Sequence, residues 1–177
     1  MAGIYIHIPY CKSRCTYCDF YTVINETHMD AFVEALCIEI ELRKKEVSES
    51  VQTIYFGGGT PSRLNPEHFS AIFETLYRYF PIESTAEITV EANPDDLSEE
   101  YVTLLAQQPV NRLSMGIQSF NDEELRFLSR RHTAQQAIDA VKRSQQYGFS
   151  NLNIDLMYGP QDLGFVDRTV DKYGLEI

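Results

Sequence analysis

Residues 5–20 read Tyr5-Ile6-His7-Ile8-Pro9-Tyr10-Cys11-Lys12-Ser13-Arg14-Cys15-Thr16-Tyr17-Cys18-Asp19-Phe20. A short run suited to a β-strand stops at Pro9, and three cysteines follow at the spacing C-x3-C-x2-C. Three thiolates on one short loop, Cys11, Cys15 and Cys18, can hold three irons of a [4Fe–4S] cube and leave the fourth open to a small molecule. In radical chemistry that molecule is S-adenosylmethionine (SAM), bound through its amino and carboxylate groups. Zinc is the alternative that the spacing leaves open. A structural zinc site takes four Cys or His ligands, and His7 is the available fourth, with Cys37 further off. A disulfide framework fits poorly, because three clustered cysteines pair badly and no secretory signal precedes them.

Outward from this loop the chain alternates strand and helix. Strands are expected over 3–8, 53–56, 87–91, 112–116 and 151–157, each short and mostly rich in Ile, Val, Tyr or Leu. A helix is expected over 28–46, where Phe32, Val33, Leu36, Ile40 and Val47 recur at helical spacing. Another covers 66–80, opened by Asn65 as N-cap and Pro66 at the first helical position. A third, over 99–107, follows Ser98 with Glu99 and Glu100, which suit the positive end of the helix dipole. A short one over 122–128 precedes a helix over 134–147 that opens with the capping box Thr133-x-x-Gln136. Five such strands predict an α/β fold with a parallel sheet and helices outside, closed as a partial (β/α) barrel of about five βα units. Chemistry in such folds gathers at the C-terminal ends of the strands.

The remaining motifs lie at those ends. Gly57-Gly58-Gly59-Thr60-Pro61 follows the second strand, where glycines let the backbone approach a ligand. Glu91 ends the third, with a carboxylate able to accept from ribose hydroxyls or an ammonium group. Gln118 ends the fourth. Asp155 lies inside the fifth between apolar neighbours, and a buried acid is costly unless paired, so it is either functional or bridged to a base, with Arg130 a candidate partner. Strand alternation puts His7 on the face of Tyr5, opposite Ile6 and Ile8. Cys37 falls on the first helix near Val33 and Ile40 and reads as a small core residue. Arg126, Arg130, Arg131 and His132 form either a local basic site or a solvated helix end, and His28 and His68 carry no functional signal.

The string from Tyr5 to Phe20 resembles the radical SAM branch that contains oxygen-independent coproporphyrinogen III dehydrogenase and the heme chaperone HemW. Gly57-Gly58-Gly59-Thr60-Pro61-Ser62, Glu91-Ala92-Asn93-Pro94, Ser114-Met115-Gly116-Ile117-Gln118-Ser119-Phe120 and Asn153-Ile154-Asp155-Leu156 match it in the same order. The resemblance implies a cluster on Cys11, Cys15 and Cys18. It implies that Tyr5, Gly58 and Glu91 contact the cluster-bound SAM. It aligns Tyr17, Gly59, Thr60, Gln118, Arg130 and Asp155 with contacts to a second SAM in the coproporphyrinogen enzyme. Phe20 stands where that enzyme's pattern has a further cysteine, as in the HemW branch. The implied role is heme binding and delivery, with an electron donor and a heme-accepting protein as partners. The rival readings are coproporphyrinogen III oxidation and a non-functional fragment.

Composition bounds the rest. The chain has 177 residues and is 44% hydrophobic, enough for about one domain with a real core. Its formal net charge of −11 works against nonspecific nucleic-acid binding. No apolar run is long enough to span a membrane, and cluster-ligating thiolates fit a reducing, cytoplasmic setting. The radical SAM core is expected over 1–159 and a divergent tail over 160–177. Gly159-Pro160-Gln161-Asp162-Leu163 departs from the Gly-Leu-Pro-Gly-Gln loop of the resembled family, and Leu163, Val166, Val170 and Tyr173 suit one short helix ended by Gly174. Six βα units need on the order of 180 residues, so the chain reads as a truncated barrel.

Overall fold

The structure, a computed structural model, describes residues 2–158. The tail expected over 160–177, with its helix, lies outside the described residues. Five strands, β1 (Ala2–Ile8), β2 (Val51–Gly58), β3 (Ile82–Ala92), β4 (Arg112–Gln118) and β5 (Leu152–Leu156), form one parallel sheet in the order β1-β2-β3-β4-β5. Helices α1 (Met29–Leu42), α2 (Pro66–Tyr79), α3 (Glu99–Leu105), α4 (Asp122–Phe127) and α5 (Ala134–Gln146) fill the connections. This is the expected α/β alternation. Among the described residues the sheet is open, with β1 and β5 at its edges.

Side-chain alternation explains how the sheet becomes a platform for a site. One face carries Ile6, Ile8, Ile54, Phe56, Ile88, Val90, Leu113, Met115 and Ile117, all buried in a single core. The helices supply Val33, Ile40, Phe69, Phe73, Leu76, Val102 and Val141 against it. Phe56 sits edge-on to Phe69 at 5.4 Å and to Phe73 at 5.3 Å. Each such side chain contributes roughly 1.5–3 kcal/mol on burial. The opposite face is polar: Tyr5 pairs in register with Tyr55, Tyr55 with Thr89, Glu91 with Ser114, Ser114 with Asn153 and Gly116 with Asp155. That face rises toward the strand ends where the loops gather.

The expected caps form. Asn65 accepts from the His68 amide at 2.8 Å while His68 Nδ1 accepts from the Asn65 amide at 3.3 Å. Ser98 accepts from Tyr101, and Thr133 and Gln136 make the capping box of α5. The main differences from the expected boundaries are these. β3 begins at Ile82, ahead of residue 87, because Ile82 pairs with Val51 before the register shifts at Thr53. α1 ends at Leu42, and Val47 reaches the core from the loop beyond. Two 3₁₀ turns, Pro61–Arg63 and Pro94–Asp96, follow the glycine loop and β3. Each begins with proline, whose fixed φ starts a turn too short to show a helical period.

Candidate functional site

The cysteine loop is anchored at both ends before it presents its thiols. Val23 donates to Pro9 O at 2.8 Å and Cys11 donates to Val23 O at 3.0 Å, so the returning chain pins the start of the loop beside β1. Cys11 is buried, and burial pushes its thiol pKa up while a hydrogen bond from Thr60 Oγ1 at 3.2 Å opposes that shift. Arg130 Nη1 donates to Cys15 Sγ at 3.3 Å and to Tyr17 Oη at 3.4 Å. Tyr17 is pushed up to about 12, chiefly by burial, against the lowering effect of Arg130. All three cysteines line one cavity of about 180 Å³ at the strand ends.

The glycine loop closes the other side. Gly59 donates to Ile8 O at 2.8 Å, and a Cβ at Gly59 would lie 2.7 Å from the Pro9 carbonyl carbon. Only glycine lets β2 pass this close to the start of the cysteine loop. Gly58 has φ of 108°, and a Cβ there would strike the His7 ring at 2.5 Å. Its amide donates to Glu91 Oε2 at 3.2 Å, and Tyr55 Oη donates to Glu91 Oε1 at 2.8 Å. Burial raises the Glu91 carboxyl, and these two hydrogen bonds pull it back down. Glu91 pushes Tyr55 upward in turn, after burial.

Across the cavity, Gln118 ends β4 with φ of 71°, a left-handed conformation that costs about 1–3 kcal/mol in a non-glycine residue and is concentrated at working sites. Met157 donates to Gln118 O at 2.8 Å and so ties β5 to this turn. Arg130 Nη2 donates to Asn93 Oδ1 at 2.5 Å and to Gly116 O, and Asn93 Nδ2 donates to Thr60 Oγ1 at 3.2 Å. A continuous polar path therefore runs Arg130–Asn93–Thr60–Cys11.

Of the residues singled out in the sequence, Cys11, Cys15, Cys18, Tyr17, Gly58, Gly59, Thr60, Glu91, Gln118, Arg130 and Asp155 line this one cavity. Tyr5 does not: it is 58% exposed and stacks on Tyr55 at 6.0 Å, beside His7. Two expectations need correction. Asp155 is exposed and accepts from Asn153 Nδ2 at 2.8 Å, because alternation turns it onto the polar face; Arg130 is taken by Asn93, Gly116, Cys15 and Tyr17. The run from Arg126 to His132 splits: Arg126 stays exposed at the solvated end of α4, and the others do not join it in a basic patch. Arg130 enters the cavity, Arg131 pairs with Asp95 at 3.0 Å, and His132 is buried with Nε2 donating to Ile117 O at 3.0 Å. His68, besides capping α2, lies 2.8 Å from Asp30. Cys37 packs against the core as expected, with Sγ 3.7 Å from Ala71 O. Asn93, which lines the cavity, and the acid pair Asp95 and Asp96 beside it carried no role in the sequence reading. The signal available for them was the Asn-Pro-Asp-Asp sequence directly after a strand end.

Cys11, Cys15 and Cys18 line one cavity. A donor set of three thiols fits a [4Fe–4S] cube with one iron left open, whereas a structural zinc site takes four Cys or His ligands.

The fold and the site together define a class: a parallel α/β sheet whose strand-end loops surround a cavity with three thiols, a glycine turn and one carboxylate. The chain belongs to the radical SAM superfamily, whose family model matches residues 5–167. Members of that superfamily work with a [4Fe–4S] cluster and SAM. The chain is 41% identical over 172 residues to the heme chaperone HemW of Lactococcus lactis, covering 96% of this chain and 45% of that protein. It is 37% identical over 165 residues to the oxygen-independent coproporphyrinogen-III oxidase-like protein HemZ of Bacillus subtilis, covering 89% of this chain and 33% of that protein. The solved coproporphyrinogen III oxidase HemN of Escherichia coli superposes with a TM-score of 0.80 at 31% identity, covering 88% of this chain and 37% of that structure. The chain thus spans less than half the length of these relatives. Among the described residues no helix is long and apolar enough to cross a membrane.

Proposed function

We propose that this chain is a [4Fe–4S]- and SAM-binding core of the HemW type, serving heme binding and delivery. The observation that carries the reading is the shared cavity, which Cys11, Cys15 and Cys18 line together with Gly58, Gly59 and Glu91. In this reading the three thiolates hold the cluster, and the Gly58–Gly59 turn and Glu91 receive the amino-acid end of SAM. When bound, the cluster supplies the electron that cleaves SAM. Thr60 and Arg130 donate to Cys11 and Cys15, Asn93 links the two donors, and the Arg130 cation offsets thiolate charge. Thiolate ligands of this kind call for a reducing compartment, and we assign the cytoplasm.

Phe20 separates this reading from its rival. It is exposed at the cavity rim, where the coproporphyrinogen enzyme's pattern has a further cysteine. Oxidative decarboxylation of coproporphyrinogen III remains the second reading, supported by the likeness to HemN.

Anaerobic reconstitution tests the proposal. It is expected to give about four irons and four sulfides per chain. Cys15→Ala abolishes this and Cys37→Ala does not. SAM is expected to change the electron paramagnetic resonance spectrum of the reduced cluster, and Glu91→Gln to weaken SAM binding by about 1.5–3 kcal/mol. A sulfide-free zinc site, or a spectrum unmoved by saturating SAM, sinks the cofactor reading. Hemin titration then probes the HemW assignment, and protoporphyrinogen formed above a cluster-free control would transfer the chain to the rival.

A further inference from the structure

Outside the cavity, four loops meet at one buried acid. The Asp96 side chain is 1% exposed. Lys12 Nζ lies 2.6 Å from its Oδ1 and Arg63 Nη1 lies 3.3 Å from the same oxygen. Ser62 Oγ donates to Oδ2 at 3.0 Å, and Arg131 Nη2 lies 3.7 Å from it. Arg131 also pairs with Asp95 at 3.0 Å, and Arg63 with Glu26 at 2.6 Å. Three cations and three carboxylates thus close on one another. Lys12 comes from the loop after β1, Ser62 and Arg63 from the turn after β2, Asp95 and Asp96 from the turn after β3, and Arg131 from the segment between α4 and α5.

Burying a carboxylate costs several kcal/mol before its partners offset it, and such a group is weak as a source of net stability. What it supplies is geometry. Lys12 follows Cys11 directly, and Arg131 follows Arg130, the donor to Cys15. The knot therefore grips the cysteine loop next to its first thiol and, from the other side, the arginine that reaches its second.

We propose that Asp96, acting through Lys12, is a positioning residue that holds the cysteine loop in its binding geometry before any cluster is built. This rests on the reading of that loop as the cluster site. The Lys12 side chain is 39% exposed, so Lys12→Ala removes the tether while Asp96 keeps Arg63, Arg131 and Ser62. The fold is expected to survive that change, whereas Asp96→Ala takes a shared partner from Lys12, Arg63 and Arg131 at once and is expected to destabilise the fold.

The test compares the wild-type chain, Lys12→Ala and Lys12→Arg. Hydrogen exchange of the cluster-free chain is read at the Cys11 amide. Lys12→Ala is expected to speed it by up to about fivefold, the equilibrium factor for the strongest part-exposed ion pairs, and to lower the global folding equilibrium by no more than that same factor. In the reconstituted chain the same variant is expected to lose its cluster faster and to lower the cluster's reduction potential, because a positive charge beside a ligand is gone. Lys12→Arg restores all three. Exchange, cluster loss and potential all unchanged in Lys12→Ala would overturn the proposal. If the wild-type chain takes up no iron while the exchange difference persists, the loop tether stands and the cluster reading falls.

Discussion

His132 shows what a single side chain does when the fold takes it out of water. It is 3% exposed, Nε2 donates to Ile117 O, and Nδ1 finds no partner among the described residues. Burial first, and then the charge of Arg130, lowers its pKa from 6.5 to about 4. The ring is therefore neutral in the folded chain where the unfolded chain is already protonated. Its contribution to stability is complete above pH 6.5 and is lost as pH falls through that value toward 4. At pH 5 the loss amounts to about 2 kcal/mol. Urea unfolding at pH 7 and pH 5 checks this: His132→Gln is expected to lose less stability between the two than the wild type does. An equal loss in both would show that His132 is not the group responsible. Neighbouring Arg130 illustrates the other outcome at this scale. Its guanidinium gathers Cys15, Tyr17, Asn93 and Gly116 into one fan, which no spacing in the sequence announces.

At the scale of elements, the site depends on how closely two strand ends approach. The turn after β2 lies against the last residues of β1 through Gly59, with the Pro9 backbone where a side chain would begin. Both partners at that contact are backbone, so neither can swing aside. Gly59→Ala is expected to push the start of the cysteine loop away from β2. It should cost about 1–3 kcal/mol in stability, the usual range for overpacking. Thermal unfolding of the cluster-free variant measures that cost, and iron content after reconstitution measures the effect on the loop. A wild-type melting temperature with full iron would refute the close-approach argument. The helix caps belong to this scale too. Asn65, Ser98 and Thr133 were legible because a cap is a local contract between residues three apart.

For the molecule as a whole, the apolar face of the sheet is covered by helices while the polar face and its loops are left for a bound group. Much of what surrounds the cavity is polar backbone, thiol and charge, and adds little to stability on its own. Loading is therefore expected to stabilise the whole chain by mass action: SAM at about a hundred times its dissociation constant adds about 2.7 kcal/mol. Differential scanning calorimetry under anaerobic conditions, with and without SAM, measures the shift. The reconstituted wild type is expected to show it and Cys15→Ala to lose it. A shift that persists in Cys15→Ala would place SAM away from the thiol loop.

The sequence by itself determined the alternation of strands and helices, the capped helix starts and the loop that bears the three cysteines. All of these are set by contacts between near neighbours or by the two periods of backbone geometry. It also determined the family, because Cys11, Cys15, Cys18, the glycine run and Glu91 are spaced by the same strand ends that the fold uses. Tertiary structure alone decided the rest. Asp155 looked buried because its neighbours are apolar, yet alternation sends Leu152 and Ile154 toward the core and Asp155 to the open polar face. Lys12 and Asp96 are 84 residues apart, and Arg130 and Cys15 are 115 apart. Pairings at that range depend on which loops the parallel sheet brings side by side, and no local pattern in the chain encodes that meeting.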